Sequence, residues 1–191
     1  METRAQFSAL QIVRRALREH IRAGDLCIDA TAGRGRDTLF LAELAGETGR
    51  VLAFDIQQAA LDSTAELLAA HGMTERVTLL HESHSCMADY AEPGSVSCIM
   101  FNFGWLPGGD HHIFTKPETS IQAVKAGLEL LREDGILSLI LYYGRETGFA
   151  ERDALLAYLP TIDSSRFTVL EMPFVNRTGC PPIPVLIFKG K

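Results

Sequence analysis

The sequence predicts an α/β domain in which a mainly parallel sheet is covered by helices on both faces. Strands and helices alternate along the chain, and the strands are apolar throughout rather than on every second residue. The two closing strands follow one another without a long helix between them, which makes one end of the sheet antiparallel. The 191 residues, 47% of them hydrophobic, fit one domain over 1–191 with room for a sizeable core.

The elements can be justified in order. Phe7, Leu10, Val13, Leu17 and Ile21 recur at spacings of three and four and describe one face of an opening helix. Arg14, Arg15, Arg18 and Arg22 fall mostly off that face. Gly24-Asp25 breaks the pattern before a short buried strand over 26–30. A turn over 32–36 follows, and Asp37 can cap a helix carrying Leu39, Phe40, Leu41 and Leu44. Gly49 precedes the second strand, 50–55. The next helix holds Ala60, Leu61, Leu67 and Leu68 and ends at His71-Gly72, where glycine suits a left-handed cap.

Strand three is expected over 76–80 and strand four over 96–101. A Gly/Pro-rich loop over 102–116 leads to a helix opened by Pro117, an apt first-turn residue. Asp134-Gly135 introduces the most apolar strand, 136–143, and a helix covers about 148–159. Strands over 167–174 and 183–188 bring the total to seven. Ligands in such sheets sit beyond the strand C-termini at the point where strand order reverses. The places to inspect are therefore 29–37, 55–57, 81–84, 102–116 and 142–146.

The formal charge is −6, from 18 Lys+Arg against 24 Asp+Glu, which argues against a protein that coats nucleic acid indiscriminately. The acidity is local. Residues 51–100 hold seven acids and one base, whereas 1–50 hold eight bases and seven acids. A basic patch elsewhere stays compatible with the total. Cys27, Cys86, Cys98 and Cys180 contain no CxxC pair, which disfavours a zinc ribbon and a disulfide scaffold alike. No apolar stretch is long enough to span a bilayer and the N-terminus lacks a signal-peptide core, so a reducing cytoplasm is the expected compartment.

Two features point to an adenosine-containing cofactor. The run from Asp29 to Gly35 ends strand one and opens a helix. Its glycines admit close backbone approach, and the helix N-terminus offers free N–H groups to an anion. Thr38 holds the place of the third glycine in the dinucleotide fingerprint. Asp55, at the end of strand two, can accept both hydrogen bonds of a ribose diol or simply cap the helix that follows. NAD and S-adenosylmethionine (SAM) both fit at this level.

The loop after strand four separates them. Asn102-Phe103-Gly104-Trp105-Leu106-Pro107-Gly108-Gly109-Asp110 mixes polar, aromatic and flexible residues. Methyl transfer to an amine needs an acceptor for the amine hydrogens, a wall against the target and in-line approach. Asn102 can supply the carbonyl, Trp105 the wall and the glycines the approach. Asp110 is the first candidate base, with His111 or His112 next. Asp110-His111-His112 has no spaced partner for a metal, and His81-Glu-Ser-His84 lacks the His-Glu-x-x-His spacing, so no metal is expected.

The runs 29–35, 101–110 and 115–122 (Thr-Lys-Pro-Glu-Thr-Ser-Ile-Gln) resemble a family of small class I methyltransferases, the MnmM (YtqB-type) enzymes, often labelled rRNA methylases. The resemblance runs from about residue 5 to Lys189. It implies a Rossmann-like class I methyltransferase fold with SAM as cofactor. The activity it implies is N-methylation of the aminomethyl group of 5-aminomethyl-2-thiouridine at the tRNA wobble position. Carried over to matching positions, Asp29, Thr31, Gly33 and Gly35 surround the methionine part of SAM. Asp55 holds the ribose, Ile56 and Gln57 lie beside the adenosine, and Ser83 and His84 meet the adenine. Asn102 and Gly104 border both cofactor and acceptor.

Trp105, Pro107, Gly108, Gly109, His111, Lys116, Arg145, Asn176 and Arg177 are then the candidate substrate contacts, with Asn102 and Asp110 catalytic. The partner implied is the anticodon stem-loop of tRNA, with no membrane and a homodimer admitted. Some positions depart from the family. Arg34 stands where a small polar residue is common, Phe103 and Trp105 where Leu and Tyr are, and Arg145 where a His is expected. The 176–182 segment, with Pro181-Pro182, matches and is expected to fold over the acceptor. Rival readings are a SAM enzyme acting on rRNA or a small molecule, a nicotinamide oxidoreductase of Rossmann type, and a non-catalytic SAM-binding module.

Overall fold

The central strands of the sheet are nearly all apolar where they pair, and this lets both of its faces be buried. The computed structural model describes residues 7–104, 115–144 and 146–190. The strands are β1 (Leu26–Asp29), β2 (Arg50–Phe54), β3 (Val77–Leu80), β4 (Val96–Phe103), β5 (Leu131–Leu141), β6 (Phe167–Glu171) and β7 (Ile183–Lys189). The helices are α1 (Ala9–His20), α2 (Arg36–Ala45), α3 (Gln58–Ala70), α4 (Pro117–Leu130) and α5 (Glu146–Tyr158). The seven strands lie in the order β3-β2-β1-β4-β5-β7-β6. The first five are parallel, and β7 runs antiparallel to both β5 and β6.

Alternation along each strand divides the core in two. Cys27, Val51, Cys98, Met100, Ile136 and Ile140 face one side, where they pack with Val13 and Leu17 of α1 and Phe40 and Leu41 of α2. On the same side Ala53 meets Leu61 of α3. Ile28, Ile99, Phe101, Leu137 and Leu139 face the other side and pack with Val124 and Leu128 of α4 and Leu155 of α5. Helices thus cover both faces, as the uninterrupted apolar strands require.

Several boundaries differ from the sequence reading, each for a local reason. Helix α1 is opened by a capping box, in which Gln11 N–H donates to Ser8 Oγ (3.1 Å) and Ser8 N–H donates to Gln11 Oε1 (2.9 Å). Helix α2 is capped not by Asp37 but by Gly35, which has φ 78° and contributes no side-chain bond, so Asp37 falls inside the first turn. Strand β4 runs on to Phe103 because Asn102 and Phe103 keep pairing with Ile140 and Leu141. Strand β5 ends at Leu141 rather than Tyr143 and begins early, at Leu131, opposite Val96. The register shifts between Val96 and Cys98, and Asp134, at φ 58°, and Gly135 lie in the β5 segment that faces the shift. Strand β6 stops at Glu171, and a short 3₁₀ turn over His84–Asp89 follows β3, unforeseen in the sequence.

Gly35 is needed for packing as much as for its φ. A Cβ there would come within 2.9 Å of the Thr64 Cα and 2.8 Å of its Cγ2, where α2 and α3 cross. Gly35→Ala is therefore expected to destabilise the protein by about 2–4 kcal/mol, combining left-handed strain with overpacking. Urea unfolding checks this, and a cost well under about 1 kcal/mol would show that α3 yields freely at that crossing.

Candidate active site

The order β3-β2-β1-β4-β5 reverses direction between β1 and β4, which is where an open α/β sheet leaves a crevice beyond its strand C-termini. A cavity of about 800 Å³ lies there, lined by the residues that follow β1, β2, β3, β4 and β5. Of the candidate residues, Thr31, Gly33, Asp55, Ile56, Gln57, Ser83, His84, Asn102, Gly104 and Lys116 all border it. Asp29 and Gly35 do not. Asp29 is fully buried behind the wall, and Gly35 is turned against Thr64.

Asp29 organises the floor. Its Oδ2 accepts from Thr38 Oγ1 (2.6 Å) and its Oδ1 from the Thr31 N–H (3.2 Å). Burial, with the nearby charges of Asp37 and Asp55, pushes its carboxyl up to about 7, the Thr38 and Thr31 bonds opposing. Thr38 is buried and committed to this bond, which gives a physical reason for the missing third glycine. Asp55 sits at the β2 end with each oxygen held by one backbone donor, Gly33 N–H on Oδ2 (2.9 Å) and Gln57 N–H on Oδ1 (2.9 Å). Burial raises its pKa, against the pull of these bonds. One lone pair on each oxygen remains for a diol.

Two side chains suit an aromatic ring at this end. Ile56 is 53% exposed, a large apolar group with one face open. His84 stands edge-on to Phe101 and Phe103, at 6.1 and 6.0 Å between centroids, and its Nε2 is buried without a hydrogen-bond partner among the described residues. Burial lowers its pKa to about 4, so the ring is neutral. His81 Nε2 lies instead 2.9 Å from the Ile56 carbonyl.

At the opposite end Asn102 leaves β4. Its backbone N–H donates to Thr31 Oγ1 (2.8 Å), and its Nδ2 donates to Asp37 Oδ2 (2.9 Å). Asp37 in turn accepts from Arg14 of α1, through Nε (2.9 Å) and Nη2 (2.6 Å) on Oδ1. This connection has no signature in the sequence, because nothing in the spacing of residues 14, 37 and 102 joins three separate elements. It also removes Arg14 from the set of arginines free to meet phosphate.

Trp105, Pro107, Gly108, Gly109, Asp110, His111 and His112 lie outside the described residues, as does Arg145. The chain leaves for that stretch and returns from it at one point. Thr115 N–H donates to the Gly104 carbonyl (3.1 Å), Gly104 N–H donates to Thr115 Oγ1 (2.9 Å), and Thr115 Oγ1 donates to the buried Glu151 Oε2 (2.7 Å). Ser120 Oγ binds the other oxygen of Glu151, whose pKa burial raises.

Asn176 and Arg177 do not border the cavity. The Arg177 guanidinium lies 3.6 Å over the Phe174 ring and donates to the Phe7 carbonyl, tying the β6–β7 connection to α1. The same connection does reach the cavity through Cys180 and Pro182. Arg34, Arg36, Asp37, Tyr142 and Tyr143 also border it, the two tyrosines in the 142–146 stretch singled out above. Among the described residues no group of three or more His, Cys, Asp or Glu could hold a metal ion, and no helix is long and apolar enough to cross a membrane.

The sheet order and this crevice define a Rossmann-like class I methyltransferase fold. The sequence profile of the family described as "Putative rRNA methylase" matches residues 51–188, and the chain belongs to that family. A chloroplastic tRNA (mnm(5)s(2)U34)-methyltransferase of Arabidopsis thaliana is 36% identical over 180 residues, 90% of this chain. The chain spans 65% of that relative's length. A "putative rRNA-methylase" structure from Clostridium thermocellum superposes with a TM-score of 0.94 at 41% identity, covering 97% of this chain and all of the other. A "putative methyltransferase" from Streptococcus mutans, solved in complex with SAH, gives 0.88 at 32% identity, covering 97% and 99%.

Proposed function

We propose that the protein is a SAM-dependent RNA methyltransferase that N-methylates the aminomethyl group of 5-aminomethyl-2-thiouridine at the wobble position of tRNA. The observation that carries this reading is Asn102. Its side chain ends β4 at the cavity wall beside Thr31, with its amide nitrogen already engaged by Asp37. Among the described residues no donor reaches its Oδ1, so the carbonyl is available to a hydrogen of the acceptor amine. The Arabidopsis relative, named as a tRNA (mnm(5)s(2)U34)-methyltransferase, supports a wobble-uridine substrate.

The residues present fit the cofactor. Asp55 retains acceptor capacity for two ribose hydroxyls, Ile56 offers an apolar face to the adenine, and the neutral, unpartnered His84 Nε2 lies in the same wall. When bound, SAM supplies an electrophilic methyl group on a sulfonium.

The chain's own contribution is alignment and proton handling. An ammonium has no lone pair, so the acceptor must reach the site as a neutral amine. The Asn102 carbonyl accepts one N–H of that amine and aims its lone pair at the methyl group. After the N–C bond forms, the product nitrogen must release a proton. Asp110 is the proposed acceptor of that proton, a role worth about 10²–10⁴-fold in rate. Arg34, Arg36 and Lys116 border the cavity and can neutralise phosphates beside the target nucleotide. A wobble base lies in a single-stranded loop and can be turned into such a site. A cytoplasmic location follows from the same reading.

The test is methylation of bulk tRNA lacking the final methyl, followed by nucleoside mass spectrometry. One methyl gained on 5-aminomethyl-2-thiouridine is the expected result. A methyl found only on rRNA or on a small amine would overturn the tRNA assignment and leave methyl transfer standing. Binding of NAD in preference to SAM, measured by calorimetry, would overturn the class.

A further inference from the structure

Asn102 can serve an amine only if its carbonyl, not its NH₂, faces the cavity. An asparagine amide is nearly symmetric in shape, so something must choose between two orientations. The choice is made by Asp37, whose carboxylate oxygens are held by Arg14 so as to present an acceptor to Asn102. An Asn102 turned the other way would set its carbonyl oxygen against that carboxylate.

Asp37 is itself held in place from two sides. It lies in the first turn of α2, where the helix N-terminus favours a negative charge. Its two oxygens are divided between partners. Oδ1 takes both contacts from Arg14, and Oδ2 takes Asn102 Nδ2. The Arg14 guanidinium is pinned in turn, with Nη2 donating to the Arg36 carbonyl (2.8 Å) and its carbon 4.8 Å above the Phe40 ring. The side chains of this chain are little exposed, Arg14 at 27% and Asp37 at 12%. A surface ion pair would be worth little, but a two-pronged, partly buried one fixes geometry.

We infer that Arg14 and Asp37 are positioning residues that lock the Asn102 carbonyl toward the acceptor amine. The inference rests on the reading of Asn102 given above. Helix α1, outside the strand-helix alternation of the sheet, thereby enters the reaction through Arg14, which acts on Asn102 by way of Asp37. Polarisation along the chain also makes the Asn102 oxygen a better acceptor, since donating to a carboxylate draws electron density toward the carbonyl.

The experiment is a kinetic cycle on the full chain with tRNA lacking the final methyl. Asp37→Asn, Asn102→Ala and the double variant are compared for kcat, KM for tRNA, SAM affinity and melting temperature. Asp37→Asn allows the Asn102 amide to flip, and it is expected to lower kcat about 10–100-fold with SAM affinity within about threefold of the parent. In the Asn102→Ala background the same substitution is expected to change kcat less than about twofold, because there is no longer a carbonyl to aim. Equal losses in both backgrounds would overturn the inference while leaving Asn102 as the amine acceptor. Parental kcat in Asn102→Ala would overturn both.

Should Asp37→Asn fold poorly, Arg14→Lys serves in its place. It keeps the charge but loses the two-pronged grip, and a loss of about 3–10-fold is expected that again vanishes in Asn102→Ala. A loss that persisted there would overturn the inference.

Discussion

Replacing Asp55 by alanine is expected to weaken SAM binding by about 100-fold. Each oxygen of Asp55 already accepts one backbone N–H, from Gln57 and from Gly33, and these two bonds aim the carboxylate across the end of β2. Each oxygen keeps acceptor capacity that a vicinal diol would use. Two charge-assisted hydrogen bonds at about 1.5 kcal/mol each give the expected factor, since about 1.4 kcal/mol is tenfold. Asparagine does not rescue the site. It has one oxygen for two backbone donors, so either Gly33 or Gln57 would face an NH₂ group.

Loss of ligand contact and loss of structure are separable in this case. A 2′-deoxy analogue of S-adenosylhomocysteine lacks one hydroxyl, and the parent protein is expected to bind it about tenfold more weakly than S-adenosylhomocysteine itself. Asp55→Ala, with no carboxylate to lose, is expected to bind the two alike. Calorimetric titration reads both affinities. If the hydroxyl mattered equally to parent and variant, Asp55 would be a clasp for the Gly33 turn rather than a ribose acceptor.

The sheet was legible because its signal is local. Runs such as Leu26-Cys27-Ile28 and Ile136 to Leu141 are apolar on both faces, and only a strand covered twice needs that. Much of the cavity lining was legible for a similar reason. Asp29 to Gly35, Asp55 to Gln57 and Ser83-His84 each follow a strand, and parallel strands bring their C-terminal ends together. The wall around Asn102 was only partly legible. Asn102 lies one residue before the end of β4, but its partners reach it from two helices.

Arg14 looked like one of several surface arginines, and Asp37 like a helix cap. Their pairing depends on how α1 packs across the sheet, which no spacing records. Asn176 and Arg177 failed differently. Their segment does return to the cavity, but Arg177 is drawn away by the Phe174 ring and the Phe7 carbonyl. A motif can fix where a segment goes without fixing which of its side chains point inward. Glu151, buried in α5 beneath Thr115 and Ser120, reads in sequence as an ordinary helix acid.

Stability is expected to depend on pH through two buried groups of opposite sign. The Asp29 carboxyl is raised from 3.8 to about 7 in the folded state, so the native protein holds a proton there that the unfolded chain has released. Stability from this source is complete below pH 3.8 and is lost as pH rises through 7, on the order of 4 kcal/mol. The raised pKa values of Asp55 and Glu151 act in the same direction. His84 opposes them. Its imidazole is lowered from 6.5 to about 4, so its contribution is complete above pH 6.5 and is lost as pH falls toward 4, on the order of 3 kcal/mol.

In the parent protein the His84 slope opposes the carboxyl slopes between pH 4 and 6.5, and only the carboxyl limb remains above that window. Single substitutions uncover each limb. Asp29→Asn is expected to leave stability rising from acid to neutral pH and nearly flat beyond. His84→Phe is expected to leave it falling over the whole range. Asparagine at 29 also loses an acceptor for Thr31 or Thr38, so the slope with pH, rather than the absolute stability, is the quantity to read from urea unfolding. Parallel pH profiles for parent and Asp29→Asn would mean that the carboxyl ionises without cost in the fold. The floor of the cavity would then have to be more open to water than its complete burial allows.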